Sequence, residues 1–162
     1  ELLLIIRVPS FGLKFFKKDL SFGLAFSASI LMILLPVLTY VNNAELNNTI
    51  LPFAAWGVAS VLTLSWMTWG LSTGAIISFL YAAYLIVESR SRGTINLVLL
   101  FTGLGYLLNL LSQAAAPYLL FGSFGANLAK EDLPFLCLSL VLALSVGIYV
   151  KYSEAAGKTF SN

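Results

Sequence analysis

Long uncharged runs separated by short polar stretches dominate this chain. Positions 20–41, 50–87, 94–121 and 133–150 hold no charged residue. About 20 consecutive apolar residues are enough for an α-helix to cross the roughly 30 Å hydrocarbon core of a bilayer. The pattern therefore predicts an all-α, polytopic integral membrane bundle.

The lengths of the runs predict five transmembrane helices in a single bundle covering 1–162. The predicted spans are about 20–41, 50–69, 72–88, 95–115 and 133–150, preceded by a juxtamembrane segment, 1–19. The run 50–87 is too long for one crossing, so we expect a break at 69–74, where glycines and hydroxyl residues supply turn chemistry. The polar stretch 42–49 is expected to be a loop, and 151–162 a short exposed tail.

The distribution of positive charge favours four spans, with part of 50–88 lying at the interface or re-entering the membrane. Five spans divide the basic residues almost evenly between the two membrane faces. Four spans gather every basic residue except Lys130 on one face, which is the asymmetry that orients many membrane proteins. Run length favours five helices and charge favours four; we expect five.

The composition agrees with a membrane location. Hydrophobic residues make up 59% of the 162 positions and charged residues 10%, with a mean hydropathy of +0.93, whereas soluble domains average about 45–50% and 25%. The net charge of +2 comes from nine basic and seven acidic residues. Because these form no continuous basic face, we expect no nucleic-acid partner.

Two kinds of chemistry are missing from the sequence. The chain has no histidine and a single cysteine, Cys137, which removes the commonest metal ligand and any internal disulfide. Apart from Glu88 at the end of the third, no predicted span contains Asp, Glu, Lys, Arg or His, although proton relays, ion-coupled carriers and voltage sensors need such groups at membrane depth. We therefore expect no metal site, no catalytic residues and no enzymatic activity.

Asn109 and Gln113 form the strongest polar pair inside a predicted span. They are four residues apart and so share one helix face. One interpretation is that they hydrogen-bond a neighbouring helix. The other is that an amide oxygen ligates the magnesium of a chlorophyll, or contacts a lipid headgroup or a solute. Chlorophyll, carotenoid and lipid all stay open as ligands of the bundle surface.

Lys14, Lys17 and Lys18 alternate with phenylalanines ahead of the first span. Aromatic rings enter the headgroup region while lysines meet lipid phosphates, so these lysines are predicted to contact the membrane surface. The alternative is that they are ordinary flanking charges that orient the first span.

These patterns favour a non-catalytic accessory subunit of a larger membrane complex, with partner helices, lipids and pigments as candidates for its surface. The composition resembles that of small helical subunits of photosystem and respiratory assemblies, which makes an organellar inner or thylakoid membrane the expected location. This resemblance is one of composition, and no sequence motif supports it. One alternative is a small channel, carrier or lipid-handling protein for a neutral or amphipathic substrate. Another is an assembly factor or a membrane enzyme acting on lipid.

Overall fold

A computed structural model describes residues 20–50, 58–89, 91, 93–118, 130 and 133–160. Within these ranges four helices are long and apolar enough to cross a membrane. In chain order, the first to fourth spanning helices are Phe22–Asn48, Leu62–Glu88, Thr94–Tyr118 and Leu133–Tyr152. The chain is an all-α integral membrane bundle, which confirms the fold class that the hydropathy pattern predicts.

The spanning helices are built from α-helices and two π-helical turns. The elements are α1 (Phe22–Ser29), a π turn (Ile30–Leu34), α2 (Leu35–Ile50), α3 (Val58–Glu88), α4 (Thr94–Leu110), a second π turn (Leu111–Ala115), α5 (Leu133–Tyr152) and α6 (Glu154–Thr159). Ser21 caps α1, because its Oγ accepts a hydrogen bond from the Leu24 N–H at 3.5 Å. The first spanning helix consists of α1, the first π turn and most of α2.

The predicted break at 69–74 is wrong, because this segment lies inside α3, a helix of 31 residues. Gly74 faces the third spanning helix, since a Cβ added to it would lie 3.2 Å from Leu108 Cδ1. The Thr73 hydroxyl donates a 2.7 Å hydrogen bond to the Trp69 carbonyl in its own helix. Small residues let helices approach closely in a membrane, and that packing offsets the helix-weakening effect of glycine.

The predicted loop at 42–49 is also wrong, since this stretch belongs to α2. Its Asn42, Asn43 and Asn47 are buried rather than solvated. Thr39 precedes Asn42 and Asn43 by three and four residues, and Asn47 follows Asn43 by four, so one side of the helix carries all of them. The first spanning helix is therefore longer than the predicted span 20–41.

Two prolines in the interior of spanning helices each follow a π turn at the same distance. Pro36 comes two residues after Ile30–Leu34, and Pro117 two residues after Leu111–Ala115. A proline lacks an N–H, and its ring collides with the carbonyl four residues earlier in an α-helix. In both turns the residue before the proline donates instead to the carbonyl five residues back, which widens the helix. The third spanning helix can thus continue past its predicted end at 115.

The second and third spanning helices make the most extensive contact in the bundle. Gly105 makes this possible, because a Cβ there would lie 2.6 Å from Cε1 of Phe79, whose ring is fully buried. The largest core side chains come from all four helices. They include Leu24, Leu31, Leu35, Phe79, Ile86, Val98, Val146 and Val150.

The segment 151–160 is packed against the bundle, unlike the exposed tail that the sequence predicts. The Ser153 hydroxyl caps α6 by accepting a hydrogen bond from the Ala156 N–H at 3.0 Å. Ala156 is buried, and Phe160 is 1% exposed and belongs to the hydrophobic core. The short helix α6 therefore packs against the start of the first spanning helix and the end of the fourth.

The start of the first spanning helix and the end of the fourth lie at the same end of the bundle. A Cβ added to Gly23 would overlap the Tyr149 ring. Lys151 and Lys158 follow at this end, whereas Lys130 precedes the fourth spanning helix at the opposite end. Over the described ranges four helices are long and apolar enough to span a membrane, and two of the three described lysines lie at one end of the bundle.

Candidate functional site: a buried amide cluster

Uncharged polar side chains gather inside the bundle, toward the end at which the first and third spanning helices finish. All of them are buried, and three helices contribute. They are Thr39, Asn42, Asn43 and Asn47 from the first, Thr68 and Ser72 from the second, and Asn109, Ser112 and Gln113 from the third. We call this set the amide cluster.

Hydrogen bonds in the amide cluster join three spanning helices. Asn47 Nδ2 donates to the Asn43 carbonyl at 2.8 Å and to Thr68 Oγ1 at 3.2 Å. Ser112 Oγ donates to the Thr68 carbonyl at 3.0 Å and lies 2.8 Å from Ser72 Oγ. Such bonds between helices in a membrane contribute about 0.6 kcal/mol each on average. The second spanning helix is thus bonded to both of its neighbours at the same level.

Several buried polar atoms of the cluster have no hydrogen-bond partner among the described residues. These atoms are Thr39 Oγ1, Asn42 Oδ1 and Nδ2, Asn43 Nδ2, Asn109 Oδ1 and Gln113 Oε1. A buried polar group without a partner costs about 1–3 kcal/mol. The set contains both donors and acceptors, so it suits a neutral ligand that can donate and accept better than it suits an ion.

The second π turn adds an acceptor to this region. The Ala116 N–H donates to the Leu111 carbonyl, and Pro117 has no N–H. The Ser112 carbonyl therefore receives no N–H from the following turn of its own helix. The proline and the amide cluster together make this the most polar part of the described interior.

The predicted pair Asn109 and Gln113 lies inside the bundle, at 2% and 0% exposure. Gln113 Nε2 donates to the neighbouring Ser112 Oγ at 3.4 Å, and it is Ser112 that bonds to the second spanning helix. A ligand on the outer surface of the bundle would not reach either amide. Lys14, Lys17 and Lys18 lie outside the described residues.

The asparagines of the first spanning helix belong to this site, although the sequence predicts a loop for Asn42, Asn43 and Asn47 because polar residues are dense there. The signal that identifies them is their spacing with Thr39, which follows the period of a helix rather than that of a turn.

A groove of about 380 Å³ runs between the third and fourth spanning helices on the outer surface of the bundle; we call it the outer groove. Its residues include the small Gly103, Ala143 and Gly147, and Lys151 and Tyr152 lie toward one end. A Cβ on Gly103 would meet no atom within 4 Å. The groove is therefore open over this glycine.

Thr102 also lines the outer groove, and its hydroxyl is unusual. The side chain is 4% exposed, and Oγ1 has no hydrogen-bond partner in the described part of the chain. Other hydroxyls in these helices donate to the carbonyl four residues back, as Ser145 does to Val141 at 2.7 Å. The Thr102 hydroxyl is thus a buried polar group beside an open apolar surface.

Among the described residues, no three His, Cys, Asp or Glu side chains come together in a group that could hold a metal ion. Comparison with protein-family models, with curated proteins and with solved structures finds no match to this chain. The functional argument therefore depends on the geometry of the amide cluster and of the outer groove.

Proposed function

We propose that the chain is a non-catalytic structural subunit of a larger membrane protein complex and binds a partner helix along the outer groove. The observation that carries this proposal is the combination of Gly103, Ala143 and Gly147 with the unpartnered, buried hydroxyl of Thr102. Small residues alone are common in membrane helices. A hydroxyl without a partner among them indicates that a further polar contact completes the surface.

Helix association in a membrane supports this interpretation. Lipid tails are as apolar as the helices, so helices associate through close packing and interhelical hydrogen bonds rather than through the hydrophobic effect. A partner backbone that packs over Gly103 would bring its carbonyl groups near the third spanning helix. A change of the Thr102 side chain to its other helix rotamer would let the hydroxyl donate to one of them, which a lipid methylene chain does not permit.

The type of complex belongs to the proposal as well. We propose an assembly of the photosynthetic or respiratory kind, in a thylakoid or organellar inner membrane, with lipids and pigments as further ligands. The exposed rings of Trp66, Tyr81 and Tyr84 support surface ligands of this chemistry, because flat apolar molecules stack on aromatic faces. Tyr81 and Tyr84 are themselves stacked, with ring centroids 6.1 Å apart.

The experiment that tests the proposal compares two glycines in the tagged chain, expressed in its own membranes. Gly103→Leu fills the outer groove. Gly70→Leu is the matched control, because a Cβ on Gly70 also meets no atom within 4 Å but lies on the second spanning helix, away from the groove. After mild detergent extraction, native gels and mass spectrometry measure which proteins and ligands comigrate with each variant.

We expect the wild type and Gly70→Leu to comigrate with a large complex in a fixed ratio, and Gly103→Leu to run as a free subunit. Pigments or quinones that comigrate would identify the kind of complex. A wild-type chain that runs alone or as a small homo-oligomer would contradict the proposal. Comigration of Gly103→Leu at the wild-type ratio would remove the outer groove as the binding surface.

A second candidate function is a small channel or carrier for a neutral substrate, and the unpartnered donors and acceptors of the amide cluster favour it. This function would require uncharged solutes to pass the level of Asn109 and Gln113. Flux of water, glycerol and urea into proteoliposomes tests it. Transport by the wild type that is lost in an Asn109→Leu, Gln113→Leu variant of normal stability would support it, and flux equal to that of empty liposomes would exclude it.

A further inference from the structure

We infer that the partner helix in the outer groove carries a carboxylate at the membrane surface, where it pairs with Lys151. This inference rests on the proposed function and adds the chemistry of the partner. It also specifies a spacing, because the groove places Lys151 at a fixed distance from the small residues against which the partner packs.

Lys151 is a groove residue that has no acidic partner. It lies in the last turn of the fourth spanning helix and lines the outer groove. Its Nζ lies 5.2 Å from the centroid of the Tyr152 ring, and within the described ranges no carboxylate oxygen lies within 4.0 Å of it. The nearby Glu154 carboxylate instead contacts Lys158 Nζ at 3.9 Å.

The position of Lys151 favours a charged partner over solvent. A partner helix that fills the groove would cover part of the lysine stem and lower the dielectric around the ammonium group. Leaving a cation unpaired in such an interface is costly, and an opposing carboxylate removes the penalty. Charge complementarity of this kind also fixes the register between helices, which small residues and apolar contacts do not specify.

The geometry of the fourth spanning helix gives the expected sequence pattern of the partner. Ala143 and Lys151 both line the groove and are eight residues apart, or about 12 Å along a helix that rises 1.5 Å per residue. A partner helix lying along the groove would therefore have Gly, Ala or Ser where it approaches Ala143. An Asp or Glu would follow about two turns away, toward the end of the bundle that carries α6.

Zero-length crosslinking tests the pair directly. A water-soluble carbodiimide joins a lysine amine to a carboxylate only when the two are in contact, and the product is an amide bond with loss of water. We expect treatment of the intact complex to give a crosslinked peptide that joins Lys151 to an Asp or Glu of another chain. An uncoupled Lys151 in a complex that still contains the partner would overturn the inference.

Charge variants test the same contact without crosslinking. Lys151→Gln should weaken retention of the chain in the complex about fivefold, the size expected of a partly exposed ion pair, and Lys151→Arg should restore most of it. Lys158→Gln is the control, since Lys158 follows the same helix but does not line the groove. Equal losses for the two glutamine variants would contradict a specific pair.

The outcomes separate this inference from the proposed function. If Gly103→Leu releases the chain but Lys151→Gln does not, the groove still binds a helix and the carboxylate is absent. If Lys151→Gln instead removes comigrating anionic lipid and leaves the partner bound, the lysine contacts a lipid headgroup and the inference fails. If Gly103→Leu leaves the complex intact, the proposed binding surface itself fails.

Discussion

Ser112 and Ser145 show that the contribution of a serine hydroxyl to helix packing depends on whether it faces another helix or the outer surface. Ser112 is fully buried, and its Oγ bonds to the Thr68 carbonyl and to Ser72 Oγ on another helix. Ser145 is exposed on the fourth spanning helix and donates to Val141 in the same helix. The serine hydroxyl therefore links two helices at position 112, whereas at position 145 it forms a hydrogen bond only within its own helix.

We predict that Ser112→Ala lowers the free energy of unfolding in detergent by about 1 kcal/mol, within the range of roughly 0.6–1.7 measured for interhelical bonds. The loss arises because Ser72 Oγ and the Thr68 carbonyl would lose their partner. Denaturant titration followed by tryptophan fluorescence measures the change. Ser145→Ala should change the same quantity by less than about 0.5 kcal/mol, and an equal effect of the two substitutions would show that the hydrogen bonds to Thr68 and Ser72 contribute nothing.

Helix α6 is stabilised by its tertiary contacts rather than by its own sequence. Its sequence Glu154–Thr159 has six residues, of which three are polar, and the exposed ion pair of Glu154 with Lys158 adds little stability. A helix of this length is not stable alone in water. It is held because Ala156 and Phe160 enter the hydrophobic core next to the first and fourth spanning helices.

We predict that Phe160→Ala destabilises the bundle by about 3 kcal/mol, because it removes a fully buried ring and leaves a cavity. Phe26→Ala is the control, since the Phe26 ring is 58% exposed on the outer surface of the first spanning helix. Thermal unfolding in detergent, followed by circular dichroism, measures both. If Phe160→Ala melts at the temperature of Phe26→Ala, then α6 does not contribute to the core.

Across the whole molecule, the number of crossings sets which segments meet water. Four spans place Ser91, which lies between two spanning helices, outside the membrane and 69–74 within the hydrocarbon, inside the second spanning helix. The five-span prediction instead exposes 69–74 at a membrane face. Accessibility to a membrane-impermeant reagent distinguishes the two arrangements.

We predict that a cysteine at Ser91 reacts with a membrane-impermeant maleimide and that a cysteine at Thr73 does not, both in a Cys137→Ser background. Thr73 faces outward from its helix, so the substitution disturbs no buried contact, yet hydrocarbon surrounds it. Mass-shift gels of reconstituted protein, labelled with and without permeabilisation, measure the reaction. Labelling of the cysteine at position 73 at the rate of that at 91 would restore the five-span arrangement.

The sequence predicts some residues of the amide cluster and not others. Asn109 and Gln113 were identified because polar residues stand out in an apolar run. Asn42, Asn43 and Asn47 were missed because a dense polar stretch at the end of an apolar run is also typical of a loop. Their burial, and the hydrogen bond of Asn47 to Thr68 on another helix at 3.2 Å, decide between these interpretations.

The sequence by itself determined that this protein is a helical membrane bundle, because uncharged runs of this length are stable only where hydrocarbon replaces water. The tertiary structure alone decided that 69–74 is helix, that the asparagines are interior, and that Phe160 belongs to the core. The physical reason is that glycine, proline and amide residues have two stable uses, in turns exposed to water or in close contacts between helices. Hydropathy along one chain cannot distinguish them, since the neighbour that fills the space above Gly74 or Gly105 comes from another helix.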